Sequence, residues 1–143
     1  MSLRAATRAD FDQIVGSLSS FWGGSDVRKL HHPMFVEGFR ETAIVYPDAR
    51  GRVAAYLFGL VAPTAAVGFV HLAAVRDTER QRGLGRLLYS HFGELVAERG
   101  CSWLKATPSR SNERAIAFHR ALGMEEHGVT PDEDRVVMLG PAA

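Results

Sequence analysis

The chain has 143 residues, 46% of them apolar and 23% charged, which is the composition of one ordinary globular domain over residues 1–143 with room for a core. A formal net charge of +1 gives no basis for a nucleic-acid or membrane-surface partner, and no apolar run reaches the length of a membrane span. The single cysteine, Cys101, excludes an internal disulfide and, with no signal-peptide core in the opening residues, sets the expectation of a cytoplasmic location.

Ser2 to Ala6 is a short strand candidate. Thr7-Arg8-Ala9-Asp10 then sets an N-cap threonine three residues ahead of an acid, close to a capping box, and Phe11, Ile14, Val15 and Leu18 follow at helical spacing. That helix gives out near Trp22-Gly23-Gly24-Ser25. Residues Asp26 to His32 are polar and irregular, and Pro33 suits the first turn of a second helix bearing Phe35, Val36 and Phe39. Loops of this kind commonly supply a specificity surface. Thr42–Tyr46 and Arg52–Val61 read as a hairpin around the turn residues Pro47 to Gly51. Pro63-Thr64 turns the chain into a strand over Val67–Val75.

A long helix from about Gly83 ends at Gly100, a good residue for a helix C-terminus, and Ser102–Thr107 is the next strand. A strand–helix–strand run demands a right-handed crossover and a parallel pair, so a sheet that begins antiparallel becomes mixed. Pro108 to Asn112 is a loop that caps a helix over Glu113–Leu122, on which Ala115, Phe118, His119 and Leu122 share one face. Met124–Val129 and Arg135–Leu139 close the chain as two strands around the turn Thr130 to Asp134.

The stretch from Val70 to Leu88 organises the rest. An apolar strand runs into Val75, a polar turn follows, and Arg80-x-x-Gly83-x-Gly85 opens a helix. A helix N-terminus offers amides without helical carbonyls and a positive dipole end, so it is an anion site. Glycine at 83 and 85 clears side chains from the backbone, and Arg80, Arg82 and Arg86 add positive charge. The expected ligand group is a pyrophosphate. A P-loop would need Gly-Lys-Ser/Thr, which is absent, and a dinucleotide fingerprint would need a third glycine where Leu88 stands.

Arg80-x-x-Gly83-x-Gly85 instead resembles the acetyl-CoA signature of the GNAT N-acetyltransferase family. Val75-Arg76-Asp77 precedes it at the family's usual distance. The run Asn112-x-x-Ala115-x-x-Phe118-His119-x-x-x-Gly123-Met124 resembles the family's Asn-x-x-Ala-x-x-Phe-Tyr-x-x-x-Gly-Phe. The resemblance implies an α/β (α+β) three-layer fold with a central mixed, mainly antiparallel sheet of about seven strands flanked by about four helices. It implies acetyl-CoA as cosubstrate, no metal, and direct attack by a primary amine within a ternary complex. It puts the pantetheine arm on a bulged strand at Ala73, Ala74 and Val75. The pyrophosphate then lies over Gln81, Arg82, Gly83, Leu84, Gly85 and Arg86, with Arg80 alongside. Asn112 would reach the cofactor from the other side and Phe118 would wall it; Asn112 reads equally as a helix cap and Phe118 as core.

The chemistry needs a base, because an alkylamine with a pKa near 10.4 carries little free base at neutral pH. His71, on the strand face of Phe69 and Ala73, is the candidate, the alternative being a half-buried structural histidine. His119 stands where the family has tyrosine; it donates a proton as imidazolium, orients the sulfur, or only packs. Trp22, Asp26, His31 and His32 are candidates for the acceptor pocket, with surface and packing roles as the alternative. Cys101 carries no sign of activation. The expected acceptor is a small-molecule amine, with a protein lysine or N-terminal amine and a non-catalytic acyl-CoA sensor as the alternatives. Pairing into a homodimer through a C-terminal edge strand is a family-level expectation.

Overall fold

The computed structural model describes residues 2–143. The first strand, β1 (Arg4–Ala5), is shorter than the sequence suggests. The capping box that opens α1 (Arg8–Gly16) is present: the Thr7 hydroxyl accepts the Asp10 amide at 3.2 Å and the Asp10 carboxylate accepts the Thr7 amide at 2.8 Å. Arg4 donates to both Asp10 oxygens, at 2.6 and 3.1 Å, and so ties β1 to the helix start. Burial pushes the Asp10 carboxyl up, but the Arg4 and Thr7 bonds outweigh it and hold the group below the usual carboxylate range.

The helix expected from Phe11 through Leu18 is broken in two. Ser17 leaves helical geometry (φ −138°, ψ 36°), its hydroxyl donates to the Gln13 carbonyl at 2.7 Å, and α2 (Leu18–Trp22) starts afresh. A glycine followed by a serine that bonds back to the preceding turn is a physical reason for the break. The helix after Pro33 is a single turn, α3 (Met34–Glu37), which buries Phe35 and Val36 and leaves Phe39 43% exposed beyond it.

Six further strands join β1 in one sheet: β2 (Ala43–Pro47), β3 (Val53–Ala62), β4 (Val67–Val75), β5 (Trp103–Ala106) and the closing pair β6 (Glu125–Val129) and β7 (Val136–Pro141), giving seven strands in the order β1-β2-β3-β4-β5-β7-β6. β1–β2, β2–β3, β5–β7 and β6–β7 are antiparallel, whereas β4–β5 is parallel in the register Val67↔Trp103 to Val70↔Ala106. The crossover helix α4 (Leu84–Glu98) joins that parallel pair, and α5 (Glu113–Ala121) precedes the closing strands. The mixed sheet matches the expected class, and the broken first helix brings the α-helices among the described residues to five.

The chain divides into two compact units. The first takes everything up to Gly59 together with Leu72–Tyr89, and its core includes Phe11, Ile14, Phe21, Phe35, Tyr56 and Phe58. The second takes Leu60–His71 and Ser90–Ala143, and buries Phe92, Val96, Leu104 and Met138. Within the second unit Gly68 lets α4 lie directly on β4: a Cβ there would sit 2.2 Å from a Val96 methyl.

Candidate active site

The loop between β4 and α4 lies in the first unit. Gln81 (φ 65°) and Gly83 (φ 76°) are both left-handed, and Arg82 between them is not. Such alternation curls the backbone so that successive amides turn to one side, the geometry of an anion nest. A Cβ on Gly83 would meet nothing within 4 Å, so its backbone angle rather than its space asks for glycine. The first amide bond into α4 runs from Leu87 to the Gly83 carbonyl at 3.0 Å. Amides earlier in the turn therefore precede the helical ladder, at the positive end of the dipole. No acidic residue lies in that first turn to oppose an anion.

The arginines divide their work. Arg82 pairs with Glu79, and Arg86 is exposed in the first turn of α4. Arg80 is a strut: its Nη2 donates to the Phe21 carbonyl at 3.0 Å and its Nε to the Val75 carbonyl at 3.3 Å, so it ties the signature loop to the last turn of α2. Arg76, which the sequence marked only as part of a spacing, is 4% exposed. Its Nε donates to the Val53 carbonyl at 2.9 Å, and its guanidinium lies 4.5 Å from the centre of the Phe21 ring. Burial, followed by the nearby Arg52 charge, lowers its pKa from the ordinary value.

Along β4 buried and half-buried residues alternate up to Leu72, and then Ala73, Ala74 and Val75 are all half-buried. The alternation of burial thus ends at the stretch to which the resemblance assigns the pantetheine arm. Parallel pairing to β5 is confined to Val67–Val70. His71 is half-buried on the face of Phe69, with the two ring centres 6.3 Å apart.

In the second unit Asn112 caps α5, its side-chain oxygen accepting the Ala115 amide at 3.1 Å. Phe118 is half-buried, edge-on to His119 with ring centres 5.5 Å apart. His119 is buried, and its Nδ1 lies 2.5 Å from the Ala115 carbonyl. A carbonyl only accepts, so that nitrogen carries the proton. Burial pushes the imidazole below its ordinary pKa, and the Ala115 bond only partly offsets this. Both the burial and the direction of that shift favour the neutral ring.

The acceptor-pocket candidates separate. Asp26 and His32 are exposed, and the His32 Nδ1 accepts the Met34 amide at 3.0 Å at the start of α3. Trp22 is half-buried and donates its indole N–H to the Tyr56 hydroxyl at 2.6 Å. His31 is buried, with Nε2 at 2.8 Å from that same hydroxyl and Nδ1 at 2.8 Å from the Val27 carbonyl. Sequence reasoning missed Tyr56, because it sits inside the continuous apolar run Val53–Phe58 and reads there as core. Burial raises its hydroxyl pKa well above the ordinary value, with the Trp22 bond opposing, so it stays protonated.

Comparison with known proteins bears on this arrangement. The acetyltransferase (GNAT) family model matches residues 11–124. No curated protein matches the chain. Among solved structures, the ribosomal-protein-S18-alanine N-acetyltransferase from Escherichia coli is similar, with 20% identity, coverage of 99% of this chain and 94% of that one, and a TM-score of 0.75. An aminoglycoside 6'-N-acetyltransferase complexed with coenzyme A has 16% identity over 100% and 98% of the two chains, with a TM-score of 0.75. A phosphinothricin acetyltransferase from Sinorhizobium meliloti, in complex with acetyl-CoA, has 21% identity over 98% and 87%, with a TM-score of 0.72.

Proposed function

The chain belongs to the GNAT acetyltransferase family, and on that premise we propose that it moves an acetyl group from acetyl-CoA to the primary amine of a small molecule, by direct attack within a ternary complex. One observation carries the donor half of this reading: the left-handed pair Gln81 and Gly83 leading into the first turn of α4, a curl of amides suited to a pyrophosphate. The structures of two similar proteins hold coenzyme A or acetyl-CoA.

The residues then take these roles. Amides of the 81–86 loop bind the pyrophosphate, with Arg86 adding charge. Backbone groups of Ala73, Ala74 and Val75 pair with the pantetheine arm, and an N–H of this stretch donates to the oxyanion that forms when the amine attacks the thioester. His71 accepts the proton that the ammonium must lose, directly or through one water. The coenzyme departs as a thiolate, which a thiol pKa of about 8.5 makes tolerable without a side-chain acid. His119 takes the packing role: it is buried, and its Nδ1 proton is committed to the Ala115 carbonyl. The family resemblance assigns Asn112 and Phe118 to the donor side as well, and Asn112 also caps α5. Trp22 and Asp26 belong to the acceptor side. Among the described residues no helix is long and apolar enough to cross a membrane, and Cys101 is a buried free thiol; both fit the cytoplasmic location in this reading.

Thiol release from acetyl-CoA against a panel of amines, amino acids and peptides, with mass detection of the product, tests the reading. An acetylated small amine is the expected product, and an acetylated peptide alone would move the acceptor to a protein. Release of thiol without any acetylated product would refute transfer. With a productive amine in hand, His71→Gln is expected to lower kcat by about 10²–10⁴-fold with acetyl-CoA affinity unchanged.

A further inference from the structure

We propose that the Tyr56 hydroxyl is the anchor that sets the shape of the loop over residues 23–30, which makes Tyr56 a positioning residue for the acceptor amine. The proposal rests on the reading of that loop as part of the acceptor side.

The Tyr56 ring is fully buried in β3, edge-on to Phe21 with centres 5.1 Å apart and 5.0 Å from the centre of Phe58. Its oxygen is thus a fixed point. Trp22, the last residue of α2, reaches it at 2.6 Å, and His31, just past the short turn Arg28–Leu30, reaches it at 2.8 Å. Both ends of the intervening loop are therefore tied to one atom. The middle is exposed from Gly23 to Asp26 and bends at Gly23, where φ is 62°.

The donors and acceptors fit in one order. The Val27 carbonyl only accepts, so the His31 Nδ1 carries a proton, and in the neutral ring Nε2 then offers a lone pair. The Trp22 indole N–H only donates. The Tyr56 oxygen accordingly accepts from Trp22 and gives its own proton to the His31 Nε2. A chain with one direction cannot exchange partners without leaving a buried donor or acceptor unsatisfied, so it specifies one loop shape. Asp26, the one carboxylate between the two tethers, is carried by that loop.

Tyr56→Phe removes a single oxygen and keeps the ring. The expected result is a rise in the KM for the amine of about tenfold or more, with the KM for acetyl-CoA and kcat at saturating amine within about twofold of the parent. Trp22→Phe deletes the indole donor from the partly exposed end and serves, by amide exchange, if Tyr56→Phe does not fold. Amide exchange over residues 23–31 is measured alongside and is expected to quicken in both variants. An unchanged amine KM, or an equal loss in both KM values and kcat, would overturn the proposal. If the parent acetylates no amine, the transferase reading fails and exchange alone decides the anchor: unchanged rates over 23–31 would overturn it.

Discussion

Gln81 holds a left-handed backbone without being glycine, two residues before Gly83, which holds one with no side chain to object. For a non-glycine residue that conformation costs on the order of 1 kcal/mol. Strain kept at the centre of an anion nest is the kind that function retains. Gln81→Gly is therefore expected to raise stability by up to about 1 kcal/mol and Gly83→Ala to lower it by about the same, both read from urea unfolding. His119 gives a prediction with a sign. Its folded-state pKa lies below the unfolded value, so acid protonates the unfolded chain first. Its contribution is whole above the ordinary imidazole value of about 6.5 and is lost as pH falls from there through the folded pKa. Between pH 7.5 and 5.5 the parent should lose more stability than His119→Gln; equal losses would mean that the ring is not held neutral.

At the scale of elements, the last turn of α2 is where the signature loop meets the rest of its unit. Arg80 bonds the Phe21 carbonyl, Arg76 lies over the Phe21 ring, and Trp22 reaches the Tyr56 hydroxyl. α2 has only five residues and no side-chain cap at its start, so it depends on these ties rather than on its own ladder. Arg80→Met keeps the stem and removes the donors. It is expected to quicken amide exchange over residues 18–22 and to weaken acetyl-CoA binding by about tenfold, since a neutral–charged bond of this kind contributes roughly 1.5 kcal/mol. Unchanged exchange would mean that Arg80 serves the cofactor alone.

What could be read from the sequence divides along the same line. The Thr7–Asp10 box, the turn at Asp48, the Val67–Val75 strand and the glycine that opens α4 are local patterns, and each is where the pattern put it. The parallel pair followed from one topological rule applied to strand, helix and strand. The break at Ser17 did not, because Ile14, Val15 and Leu18 keep helical spacing across it. Nor did the ties of Tyr56, whose partners Trp22 and His31 lie 34 and 25 residues away. Periodicity reports which face is buried and is silent on where a buried hydroxyl sends its proton. For the same reason His31, grouped by sequence with the exposed His32 and Asp26, is a buried member of a network, and Arg80, grouped with Arg82 and Arg86, is a strut.

Across the whole molecule, the seven-stranded mixed sheet and the match over residues 11–124 give the family, while the acceptor is a matter for the loops. The central claim is narrower: the curl from Gln81 into α4 holds a pyrophosphate. A calorimetric titration of the protein with acetyl-CoA and, in parallel, with S-acetylpantetheine, which has the thioester but no pyrophosphate, tests it most directly. Saturable binding of acetyl-CoA is expected, with a loss of at least about 100-fold, or ~2.7 kcal/mol, for the truncated ligand. Equal affinity for the two, or no binding of acetyl-CoA, would contradict it.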